Sequence, residues 1–236
     1  MSDAILLTHA NGDSATILPF GAELAAWRAD GVDLIWERDD RIWSQTAPVL
    51  FPIVGWTRNG EARVDGVTYP LSLHGFAWKK RFEIVERRAD YLRLALVDDA
   101  ETRALYPFSF RFEVEFQLGA GVLENRLTIV NTGDGALPYA CGLHPGFRWP
   151  LASSEAEHAI IFEAEETAEV PVIAPGGLFS PRRRPTPLQG ARLPLTTETF
   201  AQEALCFLNI NSRTLAFDNG AGARLYVALN DFPHVG

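Results

Sequence analysis

The nine residues FRFEVEFQL, Phe110 to Leu118, constrain this chain more than any other stretch. Phe110, Phe112, Val114, Phe116 and Leu118 fall on one side, and Arg111, Glu113, Glu115 and Gln117 on the other. A period of two puts alternate side chains on opposite faces of an extended chain, so this is a strand with one face in a core and one in water. YLRLAL repeats the pattern with Leu92, Leu94 and Leu96, and weaker runs follow at HAIIFEAE, ALCFLNI, RTLAF and RLYVAL. Between them stand NGD, ADG, RNGE, VDG, NTGDG, APGG and DNGAG, where Gly, Asn or Asp supply the positive φ of tight turns. Strands and turns at this spacing predict an all-β, antiparallel fold. Helical patterning is confined to AETRALY and TTETFAQEA, the second with Thr197 as N-cap candidate. The Pro- and Arg-rich segment Pro171–Pro194 reads as a long surface excursion, with Arg182 to Arg184 a solvated loop.

No internal repeat and no linker divides the 236 residues, so a single domain over 1–236 is expected. With 47% hydrophobic and 22% charged residues the chain has an ordinary globular composition. A net charge of -9 argues against a nucleic-acid partner, which calls for a basic face, and favours a neutral small molecule. Cys141 and Cys206 lack metal-ligand spacing and form no disulfide framework, so reduced, buried thiols are expected. MSDAILLTHANGD has no basic leading region and only a short apolar run, which reads as neither signal peptide nor membrane span and implies a cytoplasmic protein.

No P-loop, no GxGxxG behind a strand, no GxSxG and no HExxH is present, which removes most phosphoryl, hydride and acyl chemistry. Two histidines stand out instead. His74 in LSLHGFAWKK and His144 in CGLHPGFRW each follow a leucine and precede turn-forming residues and a Phe. Imidazole is the side chain whose ordinary pKa lies near working pH. A lone histidine among apolar residues is more often a satisfied structural group; two in matching surroundings point to one shared site.

The run APVLFPIVGWTRNGEARVDGVTYPLSLHGFAWKKRFEI, Ala47 to Ile84, resembles the N-terminal signature of the aldose 1-epimerases, in particular the bacterial branch with LFPIVG and HGFA. GLHPGF, the upstream GAELAAWRADGVDLIW and the downstream LPLTTETFAQEALCF extend the resemblance over nearly the whole chain. It implies an antiparallel β-supersandwich of the galactose mutarotase-like kind that binds a free aldose in an open cleft and interconverts its α and β anomers without cofactor or metal. By the same resemblance His144, in the HP motif, is the acid that protonates the ring oxygen. His74, in HGFA, binds the sugar near that oxygen.

Three positions depart from the family pattern. Trp56 stands where family members commonly carry an arginine, four residues before the Gly of the NG turn. Arg58 is the candidate to take that role, although alternate residues of a strand face opposite ways, so only a loop or bulge would let both serve. Stacking on the sugar and plain packing remain equal alternatives for Trp56. Glu203 in QEALCF stands where a sugar-binding Asp is usual, and is kept as a ligand. The family's general base is a Glu roughly 20 residues beyond a DFP motif, here NDFPHVG, Asn230 to Gly236, so the resemblance assigns the base to none of the 236 residues. A polypeptide ending at Gly236 is therefore expected to bind an aldose yet accelerate mutarotation little; full rates would direct attention to Glu203 or Asp231. The competing readings are a non-catalytic carbohydrate-binding protein of the same fold and a β-sandwich interaction protein with structural histidines. A phosphorylated hexose is not favoured, because no phosphate nest is visible.

Overall fold

The computed structural model describes residues 3–236 and contains, among them, one α-helix, Ala100–Leu105, in an architecture of antiparallel strands and turns. The chain forms two compact units, one through Arg148 and the other from Trp149 to Gly236. Among the described residues no helix is long and apolar enough to cross a membrane.

The first unit is built on two four-stranded antiparallel sheets, each running in chain order. One contains Ile5–Thr8, Ser14–Leu18, Glu23–Ala29 and Val32–Asp33. The other contains Glu83–Arg87, Tyr91–Val97, Phe110–Gly119 and Val122–Asn131. FRFEVEFQL lies inside this second sheet, paired on one side with Tyr91–Val97 and on the other, without a slip, from Phe110↔Asn131 to Gly119↔Val122. All five of its inward residues are at most 1% exposed, and burying each large apolar side chain contributes about 1.5–3 kcal/mol. AETRALY is helical because its start is capped twice. The Asp99 carboxylate accepts from the Thr102 amide at 2.7 Å, and the Thr102 hydroxyl accepts from the Asp99 amide at 2.8 Å.

In the second unit, Arg192–Pro194, Ala159–Phe162, Thr214–Asp218 and Arg224–Ala228 form a four-stranded sheet. Phe162, Val170, Leu193, Phe207, Ile210 and Leu215 make its core. Several expectations are corrected here. The Pro171–Pro194 segment is not irregular: Glu169–Ile173 and Phe179–Pro185 pair as a hairpin around APGG, with a register shift between Pro171 and Ile173. Proline donates nothing to a ladder but is tolerated at such irregularities, which is why its frequency misled. Arg182 to Arg184 accordingly lie in a strand, and Arg184 donates to Gln202 Oε1 at 2.7 Å and to the Glu203 carbonyl. TTETFAQEA is a series of turns rather than a helix. The Thr196 and Thr199 hydroxyls each accept from the other's amide at 3.3 Å, a side-chain alternative to the helical ladder. Cys141 and Cys206 are free thiols, half-buried rather than buried.

Candidate functional site

One extended segment carries both candidate histidines, His74 and His144. Val49 and Leu50 pair antiparallel with Leu143 and Gly142, and the Pro48 carbonyl accepts from the His144 amide at 3.1 Å. One residue on, Phe51 bridges Gly75 in the parallel sense, and its carbonyl accepts from the Phe76 and Ala77 amides at 3.0 and 3.2 Å. The Phe51 ring anchors this segment in the core, with ring centroids 5.0 and 4.8 Å from Phe110 and Phe112. The LFP of the sequence is thus a rail from which two separate loops hang. The His74 and His144 ring centroids lie 5.6 Å apart with their planes at 67°.

His74 sits in a turn at φ 60, followed by Gly75 at φ 72. It is clasped by one residue: its amide donates to the Gly55 carbonyl at 2.9 Å, and the Gly55 amide donates to its Nδ1 at 3.0 Å. A ring nitrogen that accepts carries no proton, so the neutral imidazole is held in the tautomer that presents Nε2–H. Burial, and then the charge His144 would carry, push the His74 pKa from 6.5 down to about 4. His74 is therefore a fixed, uncharged donor near neutral pH. The sign for stability follows. Between about 4 and 6.5 the unfolded chain takes up a proton that the folded chain refuses, so this contribution is present above 6.5 and is lost as pH falls toward 4. The wild-type protein is expected to lose more stability between pH 7 and 4.5, by chemical denaturation, than His74→Asn. Asparagine tolerates the same φ and keeps an acceptor for Gly55 but does not titrate. Equal losses in the two proteins would contradict this.

His144 follows the short strand Gly142–Leu143 and is more exposed. The Trp43 ring lies against it, centroids 5.2 Å apart and tilted by 43°. Trp43 is itself fixed, its amide donating to the Asp39 carbonyl at 2.8 Å and its carbonyl accepting from Trp36 Nε1 at 3.3 Å. Gly146 is required by this packing, since a Cβ there would lie 2.5 Å from Trp43 Cζ3. Partial removal from water lowers the His144 pKa, with no charged neighbour contributing. Because His74 is depressed by both burial and its neighbour, the more exposed His144 is the ring that takes a proton first.

The remaining candidates are less drawn together. Trp56 and Arg58 do not belong to a strand, so the alternation argument between them lapses: Arg58 opens a 3-10 turn, Arg58–Gly60. Both are exposed, Trp56 at 47%, on a loop strapped beside the His74 turn. The straps are the Gly55 bonds, a Thr57 hydroxyl donating to the Leu71 carbonyl at 2.9 Å, and the Leu71 amide donating to the Gly60 carbonyl at 2.8 Å. Glu203 belongs to the second unit, where it is exposed and its backbone carbonyl accepts from Arg184. Among the described residues no group of three or more His, Cys, Asp or Glu could hold a metal ion. Two contributors were not anticipated. Gly55, which sets the His74 tautomer, was visible only as the glycine of LFPIVG; Trp43 lies 101 positions before His144 and carried no local signal.

The family model described as Aldose 1-epimerase matches residues 3–229. The protein LacX (plasmid) of Lactococcus lactis subsp. lactis is 27% identical over 217 residues, covering 87% of this chain and 73% of that protein. A galactose mutarotase related enzyme from Lactobacillus acidophilus superposes with a TM-score of 0.89 at 27% identity, over 98% of this chain and 78% of that one. A galactose mutarotase-like protein from Lactobacillus casei ATCC 334 gives 0.89 at 26% identity, over 98% and 81%. The antiparallel β architecture is thus the galactose mutarotase-like fold.

Proposed function

Since the chain belongs to the aldose 1-epimerase family, we propose that it binds a free aldohexose across His74 and His144 and interconverts its α and β anomers by acid–base ring opening. The observation that carries this reading is the pair itself: two imidazoles with ring centroids 5.6 Å apart, one locked as a neutral Nε2–H donor, the other without that clasp and more exposed. At that span both imidazoles can reach polar atoms on one edge of a single sugar ring.

In this reading protonated His144 gives its proton to the ring oxygen as a base takes the proton of the C1 hydroxyl. The bond between C1 and the ring oxygen breaks, leaving a C1 carbonyl and a ring-derived hydroxyl. Rotation about the C1–C2 bond presents the other carbonyl face, and the hydroxyl re-adds with both proton transfers reversed. Division of labour between the imidazoles follows from their environments, which separate their proton affinities as acid–base pairs require. His74 holds the ring through Nε2–H. Trp56 offers an apolar face for stacking, and Arg58 is the proposed ligand of sugar hydroxyls. The base is proposed to be a carboxylate, and none of these residues is assigned to it.

Sugar-dependent stabilisation and anomer exchange test the reading together. A free aldohexose at about 100 times its Kd should stabilise the protein by about 2.7 kcal/mol. Polarimetry on freshly dissolved α-glucose or α-galactose decides between this proposal, which requires mutarotation faster than in buffer, and the expectation from the resemblance alone, which assigns no base and allows little acceleration. Stabilisation without acceleration would identify a sugar-binding protein without this catalysis, and the absence of both would end the proposal.

A further inference from the structure

Glu23 opens the strand Glu23–Ala29 and is only 8% exposed, an unusual place for a carboxylate. Its Oε1 accepts from the Thr46 amide at 2.6 Å and the Ala47 amide at 3.3 Å, and lies 2.9 Å from the Thr46 hydroxyl. Its Oε2 accepts from Arg38 Nη2 at 2.9 Å. The segment held in this way is the one that supports His144. Thr46 receives the Gly146 amide on its carbonyl at 2.7 Å, and Pro48 receives the His144 amide at 3.1 Å. His144, Pro145 and Gly146 are therefore bracketed by the two ends of a tripeptide whose first two amides converge on one carboxylate oxygen.

We propose that Glu23 is a positioning residue for His144: by pinning Thr46 and Ala47 it fixes the bracket that holds the His144 ring against Trp43 and opposite His74. The inference rests on the reading of His144 as the acid. The Arg38 partner is itself about half exposed, and such an ion pair adds little net stability, so what this carboxylate supplies is geometry. Oxygen acceptors reaching two consecutive amides and a hydroxyl at once are what an apolar replacement lacks. Without them, the Thr46 and Ala47 amides seek other partners and the bracket shifts. A displacement of about 1 Å at a reacting group costs up to about 10²-fold in rate.

The test compares Glu23→Ala, Glu23→Gln and His144→Ala by mutarotation kinetics and by the nuclear Overhauser contact between the Trp43 and His144 rings. Glu23→Ala is expected to lower kcat by about 10- to 10²-fold with KM within about threefold, and to lose the ring contact. Glu23→Gln, which keeps an acceptor oxygen, should retain the contact and most of kcat. The proposal is overturned if Glu23→Ala keeps both while His144→Ala loses activity, or if Gln is as defective as Ala. Should the wild-type protein fail to accelerate mutarotation, the functional reading falls and the ring contact alone decides: persistence in Glu23→Ala refutes positioning, loss in Ala with retention in Gln upholds it. If Glu23→Ala does not fold, Thr46→Val leaves both amide bonds to Glu23 and removes the hydroxyl, which lies 2.9 Å from Glu23 Oε1 and 2.8 Å from the Leu24 carbonyl. It should give a smaller kcat loss in the same sense, and unchanged kcat with an unchanged ring contact would overturn the proposal.

Discussion

Replacing His144 with Ala is expected to lower kcat for mutarotation by about 10²- to 10⁴-fold, while sugar binding weakens but persists. Alanine removes the proton donor to the ring oxygen, an interaction that strengthens only as the C1–oxygen bond breaks, so the loss falls on kcat more than on KM. His74→Ala should move KM as well, because a fixed Nε2–H donor contributes to the bound state. Steady-state kinetics with both variants separate the roles. A His144→Ala protein with an unchanged kcat would remove His144 from the reaction, whatever its distance from His74.

Gly75→Ala is expected to be the most damaging single-methyl change near the site. Gly75 lies at φ +72, and a Cβ there would stand 2.2 Å from the Phe51 carbonyl oxygen, 2.6 Å from its carbon and 2.7 Å from Pro52 Cδ. None of these atoms can swing aside, because Phe51 is the buried end of the rail. Left-handed backbone costs about 1–2 kcal/mol for a residue with a Cβ, and overpacking adds about 1–3 kcal/mol. A loss of about 2–5 kcal/mol is a large share of the roughly 5–15 kcal/mol that holds a domain folded. Gly66→Ala is the control: its φ is +82 but nothing lies within 4 Å of the added methyl, so only the backbone strain applies. Equal denaturation midpoints for the two variants would show that the Phe51–Gly75 approach is looser than described.

The sheet of the first unit was legible because its signal is repetitive: five alternate apolar residues at Phe110–Leu118 all enter the core. The histidines were legible as a pair because both sit beside turn residues that free them from regular structure. What brings them together was not, since Val49–Leu50 and Phe51 meet 142–143 and Gly75 through backbone bonds that place little demand on side-chain type. Glu23 illustrates the opposite failure. A glutamate at the head of a strand reads as a solvent-facing residue, and only the convergence of the Thr46 and Ala47 amides, more than 20 positions away, shows why it is buried. In the second unit the Glu169–Pro185 hairpin was hidden by its prolines, and the turns at Thr196–Thr199 by a composition that suits helix when hydroxyl–amide competition is ignored.

The central claim is that His74 and His144 grip one sugar ring, and the most direct measurement is a titration with a free aldohexose followed at the imidazole resonances. His158 is the internal reference: it is buried in the second unit, its Nε2 accepting from the Leu151 amide at 3.0 Å and its Nδ1 lying 2.8 Å from the Ala156 carbonyl. The account predicts that the His74 and His144 signals shift saturably with the same Kd while those of His158 stay fixed. Saturable binding of the sugar that leaves both His74 and His144 unmoved would contradict it.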